Sequence, residues 1–197
     1  MDSKAKYVAK IGILTAVATV IMLFDFPLAF VAPTFYKLDL SESVILIGGF
    51  ALGPLAAALI ELLKNLLNLL LNGTTTGGVG ELGHFLIGCA FTVPAAYIYK
   101  MKKDRGGAVV AMLVGTASHV VIGGAINYFL LVPAYTQVYA HGDMSIIIGA
   151  GTAIFPWVKD LFTFVLSCTV PFNLIKSVVC SVICYILYKR VSPALHI

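Results

Sequence analysis

The sequence predicts an all-α integral membrane bundle of six transmembrane helices, with both termini on the inner side. Three observations carry that prediction. Of the 197 residues, 60% are hydrophobic and only 11% are charged. The mean hydropathy is +0.99. Long apolar stretches recur, and lysines and arginines gather in short clusters between them. No polar stretch is long enough to bury a core of its own, so residues 1–197 read as a single transmembrane domain. The net charge of +4 comes from loop lysines and arginines, and no basic run is long enough to engage nucleic acid.

A membrane-crossing helix needs about 20 mostly apolar residues. The first stretch is 7–31, and the N-terminus, 1–10, carries Lys4, Lys6 and Lys10. It lacks an A-x-A-like cleavage site, so it reads as a retained helix and not a signal peptide. The apolar run 44–71 is too long for one straight span. Gly53-Pro54 breaks it, because proline inside a helix loses a hydrogen bond. A short helix over 43–52 and a longer one over 55–71 follow. Stretches 82–99, 107–132 and 172–188 complete the six. Segment 145–169 is apolar, but Pro156, Trp157, Lys159 and Asp160 interrupt it. It is expected as an external or re-entrant excursion.

Cytoplasmic loops carry excess Lys and Arg, which orients the bundle. The basic clusters are the N-terminus, Lys100 to Arg105, and Lys189-Arg190. The split at Gly53-Pro54 puts four crossings between the first two clusters and two between the last two. All three then lie inside. Counting 145–169 as a span without that split also gives six helices, but it puts Lys100 to Arg105 outside. The preferred reading leaves 25–42, 72–81 and 133–171 outside. Long external loops rich in Gly, Thr, Tyr and His suggest a lid over a site.

Polar residues inside apolar segments are costly and so point to function. Asn173 and Lys176 are three apart and share a helix face near the outer surface. Asn127 sits at similar depth. Asparagine offers both donor and acceptor, which suits the amide-like edge of a heterocycle. Lys176 could meet a ring oxygen or nitrogen. The competing reading is interhelical glue; three convergent groups at one depth favour a site for a small polar aromatic molecule.

Glu61, Lys64, Asn65, Asn68 and Asn72 form one helical stripe. Glu61 and Lys64 can neutralise each other and read as structural. Asn68 and Asn72 lie nearer the outer surface and lean functional. The loop Asn72 to Glu81 is glycine-rich but lacks the GK[ST] ending of a phosphate loop. With Glu81 and His84 following, it reads as a pocket rim. The histidines (His84, His119, His141, His196) and the four cysteines form no metal-ligand spacing. Gly12 and Ala16 are four apart, a spacing that lets helices approach closely. No convincing Ser/His/Asp set or carboxylate pair appears, so an enzyme is not expected.

Five stretches together carry a resemblance. They are Tyr36-Lys-Leu-Asp-Leu-Ser-Glu42, Gly53-Pro54 with Ile60-Glu-Leu-Leu-Lys-Asn65, Gly78-Val-Gly-Glu-Leu82, Asn127-Tyr-Phe with Leu130-Leu-Val-Pro-Ala-Tyr135, and Pro171-Phe-Asn-Leu-Ile-Lys176. The chain resembles the substrate-binding S components of energy-coupling factor (ECF) vitamin transporters, of the riboflavin-binding type. The resemblance implies a six-helix fold with an outer pocket closed by external loops. It implies that Asn127, Asn173 and Lys176 hydrogen-bond an isoalloxazine ring. It gives Leu40, Asp39 and Ser41 a place in the lid. Gly12 and Ala16 match the small residues that dock on the shared membrane subunit, although the usual alanine pair is here Gly and Ala.

The expectation is therefore a riboflavin-binding subunit in the bacterial plasma membrane, energised by a transmembrane coupling subunit and two ATPase subunits. Riboflavin is its substrate and not a cofactor. Asp39, Gly78 and Glu81 are expected near the ribityl chain. The alternatives are an S component for another vitamin or flavin mononucleotide, an intramembrane enzyme, or a small channel or stand-alone carrier.

Overall fold

The computed structural model describes residues 3–195, so His196 lies outside the described residues. Helix α1 spans Ser3–Met22. Ile11, Leu14, Thr15, Ala18 and Met22 are buried, while Val8, Ile13, Val17 and Val20 are exposed. The inner stripe follows the helical period. The outer face is apolar too, as a lipid-facing helix requires.

This helix stops at Met22 and not near residue 31. Pro27 supplies a reason: it has no N–H, and in a continued helix its ring would clash with the carbonyl four residues back. Instead Phe26–Pro27 (β1) pairs antiparallel with Lys37–Leu38 (β2). Lys37 Nζ meets Asp25 Oδ1 at 3.1 Å across the hairpin base. Val31, Ala32, Tyr36 and Leu38 then pack on Val132, Phe164, Val165 and Phe172, so the loop plugs one end of the bundle.

The break at Gly53-Pro54 is where the sequence places it. Helix α2 covers Ser41–Leu52 and α3 covers Pro54–Asn72. Gly53 has φ +100°, a left-handed conformation that favours glycine. Pro54 opens α3, where its missing N–H has no helical partner to lose. Helix α4 follows over Val79–Met101.

The next helix runs further than predicted. Helix α5, Arg105–Ile126, continues through a π-helical stretch, Asn127–Leu131, into α6, Val132–Tyr139. Helix α7, Met144–Thr152, is a separate short element. Helix α8, Leu161–Phe164, continues through a second π-helical stretch, Val165–Thr169, into α9, Val170–Leu195. Pro133 and Pro171 had marked the limits of an external loop. Both are absorbed into helices, and each lies two residues after a π-helical stretch. A widened turn accommodates the ring and the carbonyl it displaces. Of the predicted excursion 145–169, α7 and the turn after it do leave the helical rods. Residues from Leu161 onward belong to the last one, whose start is fixed by a reciprocal Asp160–Thr163 capping box.

Among the described residues, five helices are long and apolar enough to cross a membrane: Lys4–Met22, Pro54–Asn72, Val79–Met101, Arg105–Tyr139 and Leu161–Tyr188. The sixth rod, α2, has 12 residues. At about 1.5 Å per residue it is roughly 18 Å long, shorter than the ~30 Å hydrocarbon layer. Ala56, Ala57, Ile60, Phe91 and Ala95 join Ile45, Leu46 and Phe50 of α2 in the main core. The rods alternate in direction. The start of α4 and the end of α5 meet the start of α9 around one cavity, and their opposite ends surround another.

A polar cavity held by buried charge

The first cavity lies beneath the β-hairpin loop. Its walls include Tyr36 from the loop, His84 from α4, Asn127 from the first π-helical stretch, and Asn173 and Lys176 from α9. The three residues singled out by depth and spacing, Asn127, Asn173 and Lys176, thus converge. All three are buried.

Tyr36 ties the loop to both π-helical stretches. Its hydroxyl donates to Asn127 Oδ1 at 2.8 Å and lies 2.8 Å from Thr169 Oγ1. A phenol has one proton, so Thr169 is the donor in the second contact. Asn127 Nδ2 donates back to the Gly123 carbonyl at 2.8 Å. Burial pushes the Tyr36 phenol well above its ordinary pKa, so it stays a neutral donor. Replacing Tyr36 with Phe removes both contacts and strands Asn127 Oδ1. A loss of about 1–2 kcal/mol in loop closure is expected. Faster amide hydrogen exchange across residues 28–38 is the check; unchanged exchange would deny the latch.

Below the cavity lies a network of five charged side chains. Lys176 Nζ meets Asp39 Oδ2 at 2.8 Å and Glu42 Oε1 at 3.0 Å. Lys64 Nζ meets Glu61 Oε1 at 2.6 Å and Glu42 Oε1 at 3.6 Å. Ser41 joins the two halves: it accepts from Lys64 at 3.1 Å, and its N–H and hydroxyl donate to Asp39 Oδ1. Ions this buried persist only when paired. Burial works against Asp39 ionising, yet Lys176 and Lys64 hold its carboxyl well below the usual carboxylate range. Gly88 makes room for this, since a Cβ there would overlap the Glu61 carboxylate.

Buried polar atoms without a hydrogen-bond partner in this region include Asn173 Nδ2, Glu42 Oε2, Glu61 Oε2 and His119 Nδ1. Native interiors rarely leave such groups unmatched, and those that remain mark functional positions often enough to be informative. The cavity itself is about 60 Å³. Sites for drug-sized ligands run to roughly 300–1,000 Å³. A tricyclic ring therefore fits only if the Phe35–Tyr36 part of the loop moves outward.

The other predicted site residues lie off the cavity wall. Asp39 and Ser41 are buried in the ionic network, and Leu40 caps α2 beside them. Gly78, with φ +91°, opens α4 from a loop bonded to itself: Thr74 and Thr76 both donate to Glu81 Oε2. Asn68 accepts from Asn72 on a more exposed part of α3. Glu61 and Lys64 are paired as expected, but within a larger network that includes Glu42. His84 reaches the cavity wall, in keeping with the rim expected there, while Tyr36 as a latch, Glu42 as a charge partner and His119 as cavity wall were not foreseen from the sequence. An acid in the first turn of α2 was the available signal for Glu42; a loop tyrosine carried none.

Gly12 and Ala16 lie together on the exposed face of α1. No atom of another segment lies within 4 Å of where a Gly12 Cβ would be.

The family model described as "ECF transporter, substrate-specific component" matches residues 6–188. The "Riboflavin transporter FmnP" of Bacillus subtilis (strain 168) is 31% identical, over 96% of this chain and 94% of that protein. The "Riboflavin transporter RibU" of Staphylococcus aureus (strain TCH60) is 30% identical, over 95% of this chain and 90% of the relative. A solved structure described as "Structure and mechanism of the S component of a bacterial ECF transporter" superposes with a TM-score of 0.76. It is 30% identical and covers 98% of this chain and 99% of its own. The expected all-α membrane bundle thus has the fold of an ECF transporter S component, and the relatives it matches are named transporters. The chain is a multi-pass membrane protein that belongs to the family of ECF transporter substrate-specific components.

Proposed function

We propose that this chain captures riboflavin for an ECF-type importer, holding the isoalloxazine ring in the cavity beneath the hairpin loop. The observation that carries the reading is the convergence of Asn127, Asn173 and Lys176 on one cavity, with Asn173 Nδ2 still unpartnered. Two curated relatives of nearly full coverage are named riboflavin transporters, which supports the same ligand. Tyr36 and Phe35 move aside with the loop, and the ring takes their place. Asn127 and Asn173 then read the polar edge of the ring. Lys176 stays anchored to Asp39 and Glu42 and presents its remaining N–H. The ribityl chain runs outward past Gly78 and Glu81, with Leu40, Asp39 and Ser41 at the hinge of the lid. Asn68 lies at the margin of this path.

Riboflavin is favoured over flavin mononucleotide by the state of the wall cations. Among the described residues, Lys37 and Lys176 are the lysines lining the cavity, and both are already ion-paired, so a phosphate meets no free lysine there.

The basic clusters place the opposite end of the bundle in the cytoplasm, with the cavity opening outward. The subunits that act with this chain are a transmembrane coupling subunit and two ATPases. Gly12 and Ala16 form the face on α1 where the coupling subunit packs. The test is uptake of riboflavin into vesicles that carry all the subunits. Accumulation requires ATP inside. Ala16→Leu should cut the uptake rate about tenfold or more, since a large side chain blocks close helix approach, and leave binding unchanged. Loss of binding in that variant would end this division of labour. ATP-independent accumulation by the chain alone would replace the reading with a stand-alone carrier.

A further inference from the structure

The second cavity lies at the other end of the bundle and shares no lining residue with the first. Its volume is about 570 Å³. Phe50, Tyr99, Met112 and Tyr188 form its interior, and the exposed Lys103 and Arg105 line it beside them. We propose that this cavity binds one anionic phospholipid, with the phosphate on Lys103 and Arg105 and the start of an acyl chain against the aromatic wall.

Four observations carry the assignment. Helix α5 begins here, and Asp104, the nearest carboxylate in sequence, is already committed. Its Oδ1 accepts from the Gly107 N–H at 2.6 Å, and its Oδ2 lies 3.6 Å from Lys102 Nζ. Among the described residues, Lys103 and Arg105 form no ion pair with a carboxylate. Next, the Tyr99 and Tyr188 hydroxyls are hydrogen-bonded to each other. That contact uses one of the two phenolic protons and leaves the other to donate to a phosphate oxygen. Third, Phe50 stacks on Tyr99 with ring centroids 4.3 Å apart, which gives the interior a flat apolar surface suited to an acyl chain. Fourth, Tyr185 and Ile186 line the same cavity and are exposed on α9, so it is open to lipid from the side. A soluble anion has no use for the apolar wall. A lipid uses both halves. Basic pockets between transmembrane helices on the cytoplasmic side are a known chemistry for anionic headgroups, and the Lys/Arg pattern puts this end in that leaflet.

The test is native mass spectrometry of the purified full chain, titrated with phosphatidylglycerol or with phosphatidylcholine. One phosphatidylglycerol adduct is expected, with no equivalent phosphatidylcholine adduct. The double change Lys103→Gln and Arg105→Gln should weaken it roughly thirtyfold, the size expected for two cations near anionic lipid. Met112→Trp fills the apolar half and should also remove the adduct with both cations intact. Inorganic phosphate should not displace it. Helicity and thermal unfolding of each variant show that it is folded. Equal binding of the two lipids, wild-type binding by the folded double variant, or displacement by inorganic phosphate would each overturn the proposal. So would an adduct that survives Met112→Trp, since the lipid would then lie elsewhere.

Discussion

Replacing Lys176 with Met lowers the stability of the ligand-free protein by about 3–5 kcal/mol, the cost of leaving a buried ion without its partner. The geometry sets the size of the effect. Lys176 is the cation at 2.8 Å from Asp39, and it is closer to Glu42 than Lys64 is, at 3.0 against 3.6 Å. Without it, Asp39 and Glu42 keep only Lys64, which already serves Glu61. Methionine fills similar space, so the loss reports charge and not a void. A second change, Asp39→Asn, should recover part of the loss, because the uncompensated carboxylate is then gone. The double-mutant cycle isolates that coupling. Thermal unfolding in detergent is the measurement. The sign with pH also follows. The folded pKa of Asp39 is depressed, so its contribution is complete above the usual carboxylate range and is lost only as the pH falls below it. Asp39 should therefore add no pH dependence of its own to near-neutral melting curves of the wild type. A Lys176→Met protein as stable as the wild type would mean that the network carries no stability.

Asn173→Leu should act in the opposite direction on the empty protein. Asn173 Nδ2 is buried without a partner. An unmatched buried donor costs about 1–3 kcal/mol, and an apolar residue of similar shape removes that cost. The ligand-free protein should melt at the same temperature or higher. Riboflavin affinity should fall about tenfold to a hundredfold, because the ligand's polar edge then meets no donor. Stability and affinity moving apart is the signature of a binding residue. If Asn173 were interhelical glue, both would fall together. Gly123→Ala gives an independent check, since its Cβ would lie 2.7 Å from Asn173 Nδ2 and push the amide aside.

Much of this was legible in the sequence, and the reasons differ by residue. The break at Gly53-Pro54 is local chemistry, and the structure has it at the same residues. The depth of Asn127, Asn173 and Lys176 follows from counting along apolar stretches, and all three reach one cavity. The helix limits at Pro133 and Pro171 were misread because a proline marks a helix end unless a widened turn absorbs it. Nothing in the sequence around either proline announces a π-helical stretch. The end of the first helix was missed for the converse reason. Residues 23–31 are apolar enough to continue it, and a two-residue strand pair is too short to leave a pattern. The charge network was only half visible. Glu61 and Lys64 are three apart on one helix, so their pairing could be read. Lys176 and Asp39 are 137 residues apart, and Tyr36 and Asn127 are 91 apart. Contacts of that range come from packing and not from spacing.

The central claim is that the cavity under the hairpin opens to take riboflavin. The most direct measurement is a riboflavin titration of the purified protein, followed by the quenching of flavin fluorescence. Saturable quenching is expected with one riboflavin per chain, since a ring held among Tyr and Phe side chains loses its emission. Asn173→Leu and Asn127→Leu should shift the curve to higher concentration. No quenching by the folded wild-type protein, or equal quenching by both variants, would contradict the account.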